Sequence, residues 1–161
     1  MRCKEQAVKK NVGMPREVHK VACYVVHDEH LLVFTHDDVP ITMTGVQVPA
    51  GSIRAGESPE EAAIRELFEE TGRHGYLIRG VGIQHYDLRP ARDEVAVRQY
   101  FQLSMPDANV TERWPAGEHD SSHGEGSISW TCWWMPLANA HVLAAGFGGL
   151  LGIMLSQEKG H

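Results

Sequence analysis

Three glutamates, Glu66, Glu69 and Glu70, stand at i, i+3 and i+4 in the segment SPEEAAIRELFEETG. On an α-helix this spacing puts all three carboxylates on one face. They fall in the later half of the expected helix, where the helix dipole disfavours negative charge. A hard divalent cation with oxygen ligands explains such a group, and the pattern predicts a Mg²⁺ site, with Mn²⁺ as a substitute metal. A solvated acidic face is the alternative for an isolated cluster.

Three residues near the cluster are expected to support it. Arg65 precedes the cluster by one position and should point elsewhere, which favours an ion pair with Glu57 in the preceding loop rather than contact with substrate. Gly51 permits a tight turn, and its carbonyl or that of Ala50 can approach a metal where a side chain would block the way. We therefore expect Glu57 and Arg65 to support the carboxylates and Gly51 to be a metal ligand.

A fixed register links these positions. It comprises Gly51, Glu57, Arg65, Glu66, Leu67, Glu69, Glu70 and Gly72. This register resembles the signature of the Nudix hydrolases, G-x5-E-x7-R-E-U-x-E-E-x-G-U, where U is a bulky apolar residue. The last position differs, because Arg73 stands where the family prefers an aliphatic residue. The signature therefore does not predict how the chain packs just after the helix.

The resemblance implies an α/β fold, specifically an α/β/α sandwich with a mixed β-sheet. It also implies Mg²⁺-dependent hydrolysis of a nucleoside diphosphate linked to another moiety. By the matching positions, Glu66, Glu69 and Glu70 would be metal-binding or base carboxylates. Glu69 is our candidate for the base that accepts a proton from the attacking water, with Glu66 and Glu70 as firmer ligands.

A long polar connection at 105–126 offers one more catalytic candidate. Many Nudix hydrolases use an acidic residue from the loop before the last strand. Here Glu118, Asp120 and Glu125 are available, of which we favour Glu125. The alternative is that all three only keep the loop soluble.

The helix that must carry the glutamates has strong local signals. Ser58, Pro59 and Glu61 form a capping box with a proline at the first helical position, and Gly72 is a natural stop. These signals predict a helix over residues 59–71, in which Glu60 and Glu61 serve the first turn. The apolar stripe expected to pack on a sheet is Ala63, Ile64, Leu67 and Phe68.

Strand-like segments flank this helix. A hairpin is predicted over 18–34, a short strand near 46–48 that ends at 49–51, and three later strands in YLIRGVGIQHYDL, VAVRQYFQLSM and SISWTCWW. In the last strand, alternation places Trp130 and Trp134 in the core and Trp133 on the opposite face, where it is our candidate to stack on substrate. We expect a flexible arm at 1–17, one domain at 18–155 and a tail at 156–161.

The bulk properties limit the partners. A net charge of −6 argues against nucleic-acid binding by phosphate neutralisation. The longest apolar run, 142–155, is glycine-interrupted and too short for a membrane, so it indicates a buried terminal helix whose small residues also allow a homodimer contact. Three cysteines without metal or disulfide spacing fit a cytoplasmic protein with reduced thiols.

Two other functions remain as alternatives. The first is a non-catalytic Nudix-like sensor or interaction module for a nucleotide metabolite, although such a module has little need of the complete carboxylate set. The second, ranked last, is an isomerase acting on a prenyl diphosphate. That reaction requires a reactive cysteine and an additional glutamate in the site, whereas Cys23 and Cys132 lie on predicted strands and should be packed.

Overall fold

The computed structural model describes residues 13–118 and 128–160. The strands are β1 (Arg16–His27), β2 (His30–His36), β3 (Ala50–Ser52), β4 (Tyr76–Asp87), β5 (Glu94–Ser104), β6 (Trp114–Glu118) and β7 (Ile128–Pro136). The helices are α1 (Ile41–Thr44), α2 (Pro59–Thr71) and α3 (Leu151–Glu158), with a 3₁₀ helix at Leu137–Val142. Over these residues the strands form one mixed sheet in the order β4-β5-β1-β2-β7-β6, and β3 pairs with β1.

The predicted hairpin is confirmed as β1 and β2. Its two-residue turn consists of Asp28 and Glu29, with φ values of 44° and 58°, as a turn that matches the twist of the strands requires. β1 starts at Arg16, inside the segment expected to be a flexible arm. It is long enough to pair with β5 in parallel, with β3 antiparallel and, at its end, with β2.

The short strand predicted near 46–48 lies further along the chain. Val46 and Gln47 form only isolated bridges, and the strand is Ala50–Ser52, so Pro49 precedes it rather than ending it. Proline has no N–H to donate, but the Pro49 carbonyl accepts a hydrogen bond from Cys23 at 2.8 Å. This contact leads the chain onto β1 and places Gly51 opposite Val21.

The helix prediction is confirmed at both ends. Ser58 and Glu61 form the reciprocal capping box, and Gly72 ends α2 in the left-handed conformation. The apolar stripe was partly wrong: Ala63 and Leu67 are fully buried, but Ile64 is 38% exposed and Phe68 43% exposed. The buried face includes Ala62 and Glu66 instead, and Phe68 stacks on His74 with ring centroids 4.3 Å apart.

Two apolar clusters cover the two faces of the sheet. One packs α2 against the sheet through residues that include Cys23, Leu67 and Trp130. The other packs the 3₁₀ helix and α3 against the opposite face through residues that include Tyr24 and Met154. The predicted α/β/α sandwich with a mixed sheet is therefore confirmed.

The elements in the later part of the chain begin and end at residues other than those expected. The helix foreseen across 142–155 is α3, which begins only at Leu151 and continues to Glu158, into the expected tail. Part of the expected loop at 105–126 is strand β6, and the indole N–H of Trp114 on that strand donates to the Thr71 carbonyl at 2.8 Å. Glu125 lies outside the described residues. No helix within the described ranges is long and apolar enough to cross a membrane.

Candidate active site

The predicted ion pair between Arg65 and Glu57 is present. Arg65 donates through Nε to one Glu57 oxygen at 2.6 Å and through Nη2 to the other at 2.9 Å. These charged hydrogen bonds, with one from the Arg54 backbone N–H, lower the pKa of Glu57 to about 2. Arg65 also donates to the Ser52 carbonyl at 2.9 Å, so it ties the helix to both the loop and β3.

The expectation that Arg65 points away from the cluster is wrong. Its Nη1 donates to Glu66 at 2.8 Å and to Glu69 at 2.9 Å, because the long side chain reaches both carboxylates from the same turn. Arg54 donates to the second oxygen of Glu69 at 3.0 Å. The two arginines offset the mutual repulsion of the carboxylates and fix where they lie.

Glu66 is the most enclosed of the three glutamates. It is 8% exposed, and burial raises the pKa of its carboxyl group, opposed by the hydrogen bond from Arg65. A Cβ atom added to Gly51 would lie 2.0 Å from Glu66 Cδ and Oε1, so only glycine leaves space for the carboxylate. The close approach expected at Gly51 is therefore made by a glutamate of α2.

Glu70 faces the same strand. Its carboxylate accepts a hydrogen bond from the Ala50 N–H at 2.8 Å. Its backbone carbonyl accepts from the Trp130 indole N–H at 2.6 Å and lies 3.6 Å from Cys132 Sγ. The end of α2 is thus anchored to the sheet, and Glu66 and Glu70 meet β3 while Glu69 is 43% exposed.

The side chains as arranged do not form a closed metal cage. Among the described residues, no group of three or more His, Cys, Asp or Glu side chains lies close enough to hold a metal ion. The donors nevertheless suit a hard divalent cation, because they are carboxylate oxygens and the glycine at position 51 lets the Glu66 carboxylate lie directly against β3. The ligand roles of Glu66, Glu69, Glu70 and Gly51 stay predictions.

Arg73, the residue that departs from the signature, packs against two residues of the 112–114 segment. It pairs with Glu112 through two hydrogen bonds of 2.8 and 2.5 Å, and its guanidinium lies 3.8 Å from the centroid of the Trp114 ring. A cation stacked on an aromatic ring covers apolar surface as an aliphatic side chain would. The departure from the signature is therefore accommodated by two residues of the 112–114 segment.

The two buried cysteines are packed, as expected. Cys23 and Cys132 are fully buried. Burial raises the pKa of both thiols, that of Cys132 to about 12. Full burial and a raised pKa both disfavour the thiolate, which is the reactive form. This disfavours the isomerase alternative.

A cavity of about 400 Å³ opens on the other side of β3. It is lined by Ala50 and Gly51 and by three cationic side chains, those of Lys20, Arg92 and Arg98. We did not predict these cations from sequence. The available signal was Arg98 itself, a charged residue at an inward position of the strand VAVRQYF.

Trp133, our candidate for stacking on substrate, lies elsewhere. It is on β7, half-buried against the cluster on the α3 side, and the Arg113 guanidinium lies 5.0 Å from its ring centroid. It is not among the described residues that line the cavity beside Gly51. The structure does not bring Trp133 together with the glutamates, and its role stays a prediction.

Known proteins resemble this chain in sequence. A family model described as NUDIX domain matches residues 17–148. An RNA pyrophosphohydrolase of Brucella ovis is 30% identical over 105 residues, which cover 58% of this chain and 56% of that protein. The chain thus spans little more than half the length of this curated relative.

Solved structures resemble it in fold. A NUDIX hydrolase from Nitrosomonas europaea superposes with a TM-score of 0.60 at 18% identity and covers 90% of both chains. A MutT protein from Methanosarcina mazei Go1 superposes with a TM-score of 0.61 at 16% identity, over 89% of this chain and 96% of the other. At such identities the similarity establishes the fold.

Proposed function

The chain belongs to the Nudix hydrolase family, and from that premise we propose that it is a pyrophosphohydrolase that uses Mg²⁺. Its substrate would be a nucleoside diphosphate linked to another moiety, cleaved at the diphosphate. One observation carries the proposal: Glu66 and Glu70 meet β3 at Gly51 and Ala50, while Arg65 holds Glu66 and Glu69 in place.

The relatives support the reaction class. The Brucella ovis protein is named an RNA pyrophosphohydrolase, which describes cleavage of a phosphoanhydride bond. This chain spans only part of that protein, so the activity and substrate of this chain are part of what we propose. Our expectations of a small-molecule substrate, no nucleic-acid partner, a homodimer and a cytoplasmic location stay predictions, as does the catalytic role of Glu125.

Each glutamate has a proposed part in the reaction. Bound Mg²⁺ would supply positive charge close to the diphosphate and would lower the pKa of a water. Glu66 and Glu70 would hold the cation, with a carbonyl of Gly51 or Ala50 beside them. Glu69, the most exposed of the three, would accept the proton of the attacking water. Arg65 positions Glu66 and Glu69, and Glu57 fixes the guanidinium of Arg65.

The proposal is tested by a substrate panel. The purified protein is incubated with Mg²⁺ and a set of nucleoside diphosphate derivatives, and product formation is followed by chromatography. We expect turnover of at least one compound. A protein that binds members of the panel but cleaves none would instead be the nucleotide-metabolite sensor.

A further inference from the structure

The cavity beside β3 is a local concentration of positive charge in an acidic protein. Lys20, Arg92 and Arg98 line it, and no carboxylate does so among the residues that the structure describes. The chain as a whole carries a formal net charge of −6. A concave site lined by one sign of charge attracts ligands of the other sign, so the cavity favours an anion.

Arg98 is the buried member of this group. It is 5% exposed, and its guanidinium lies 4.4 Å from the ring centroids of both Tyr86 and Phe147. It donates to the Ala145 carbonyl. In the described part of the chain, none of the ion pairs involves Arg98, Arg92 or Lys20.

Arg98 has hydrogen-bond partners, but no carboxylate balances its buried positive charge among the residues that the structure describes. Stacking on aromatic rings and hydrogen bonds to the Ala145 carbonyl and the Tyr100 hydroxyl offset part of the cost of burying this charge. Because the planar fork of arginine matches phosphate oxygens, a phosphate in the cavity would provide the missing counter-charge. The aromatic rings hold the guanidinium of Arg98 in position before any ligand arrives.

The cavity and two glutamates of α2, Glu66 and Glu70, lie against the same short strand, β3. Gly51 lines the cavity and also contacts the Glu66 carboxylate. Ala50 lines the cavity too, and its N–H donates to Glu70. Only this short strand separates the cations from the carboxylates, so a substrate that extends past it would reach both. The volume of about 400 Å³ suits a substrate fragment rather than a whole dinucleotide.

We propose that this cavity binds a phosphate group of the substrate other than the two of the scissile diphosphate. The proposal rests on the proposed function, because it names the substrate class of the same site: nucleoside diphosphate derivatives that carry an additional phosphate. Arg98 receives that phosphate inside the cavity, and Arg92, whose side chain is exposed, contacts it from the rim.

Matched substrate pairs locate the additional phosphate. NADPH differs from NADH by one phosphate on the adenosine ribose, and ADP-ribose 1″-phosphate differs from ADP-ribose by one phosphate on the linked sugar. A charged hydrogen-bonded contact with phosphate is expected to raise kcat/KM roughly tenfold or more for the phosphorylated member of one pair. The pair that shows the preference identifies which end of the substrate enters the cavity.

Variants connect the preference to the cavity. Arg98→Met and Arg92→Gln should each reduce the preference for the phosphorylated member, whereas Lys159→Gln, an exposed cation outside the cavity lining, should leave it unchanged. Arg92→Gln keeps the test valid if Arg98→Met does not fold. Equal kcat/KM within both pairs, or a preference that survives in Arg92→Gln, would overturn the proposal.

Binding separates this proposal from the proposed function. Titration calorimetry of both pairs in EDTA, where metal-dependent turnover stops, measures how much the additional phosphate changes the affinity. A preference for the phosphorylated compound without any turnover in Mg²⁺ supports the cavity and refutes the hydrolase. Turnover in Mg²⁺ with equal affinities within both pairs supports the hydrolase and refutes the cavity.

Discussion

Replacement of Gly51 by alanine tests how closely β3 and the glutamates are fitted together. The added Cβ would lie 2.0 Å from Glu66 Cδ and Oε1 and 2.3 Å from Oε2, against an ordinary contact of 3.4 Å or more. The Glu66 carboxylate must therefore move by more than 1 Å. Such a movement breaks its 2.8 Å hydrogen bond with Arg65.

Two magnitudes follow from this displacement. Overpacking of a closely packed site lowers the free energy of unfolding by about 1–3 kcal/mol. Replacing glycine by alanine restores roughly 0.4–1 kcal/mol of this, because alanine restricts the unfolded chain. Misplacement of a catalytic group by about 1 Å costs on the order of a hundredfold in rate. We therefore expect Gly51→Ala to lose roughly a hundredfold in kcat/KM while its stability falls only modestly.

Steady-state kinetics and urea unfolding measure the two effects separately. Gly152→Ala is the matched control, because Gly152 lies in α3 and a Cβ there would have no heavy atom within 4 Å. The control should keep wild-type kcat/KM and gain up to about 1 kcal/mol of stability. Wild-type activity in Gly51→Ala would show that Glu66 is not held against this strand and would refute the reasoning.

Four further outcomes are expected. Arg65→Met should lower kcat/KM by roughly tenfold or more, because Glu57, Glu66 and Glu69 lose the charged donor that they share. An unchanged kcat/KM would show that Arg65 does not position these carboxylates. Glu57→Gln should lose less unfolding free energy on acidification than the wild type does. The reason is that a carboxyl whose pKa falls from 4.5 to about 2 on folding stabilises the fold above pH 4.5 and loses that effect towards pH 2. Acid unfolding curves that coincide for the two proteins would contradict this. Ser58→Ala should cost about 1 kcal/mol in urea unfolding through loss of the cap, with activity retained. EDTA should abolish turnover and added Mg²⁺ restore it, and full activity in EDTA would exclude the metal.

Local signals explain why α2 was predictable. Its first residue follows from the Ser58 cap and Pro59, and its last from Gly72, all within the segment itself. The buried face was harder to predict, because hydrophobicity alone favours Ile64 and Phe68 over Glu66. Glu66 is buried because Gly51 and Arg65 surround it, and neither contact can be derived from the sequence of the helix.

Features that depend on contacts between distant segments were missed. Strand β6 forms by pairing with β7, and its segment, WPAGE, has no periodicity of its own. The reach of Arg65 depends on the position of its side chain, which spacing along a helix does not fix. The cavity cations come from β1, the β4–β5 loop and β5, and only the sheet brings them together.

The most direct measurement is the rate of diphosphate hydrolysis, in Mg²⁺, by Glu70→Gln compared with Glu60→Gln on the best substrate of the panel. Both changes remove one carboxylate from α2, but Glu60 is an exposed residue of the first turn, whereas Glu70 faces β3. We predict that Glu70→Gln loses on the order of a hundredfold or more in kcat/KM and that Glu60→Gln stays close to wild type. Equal rates for the two variants would contradict a hydrolase whose reaction depends on Glu66, Glu69 and Glu70.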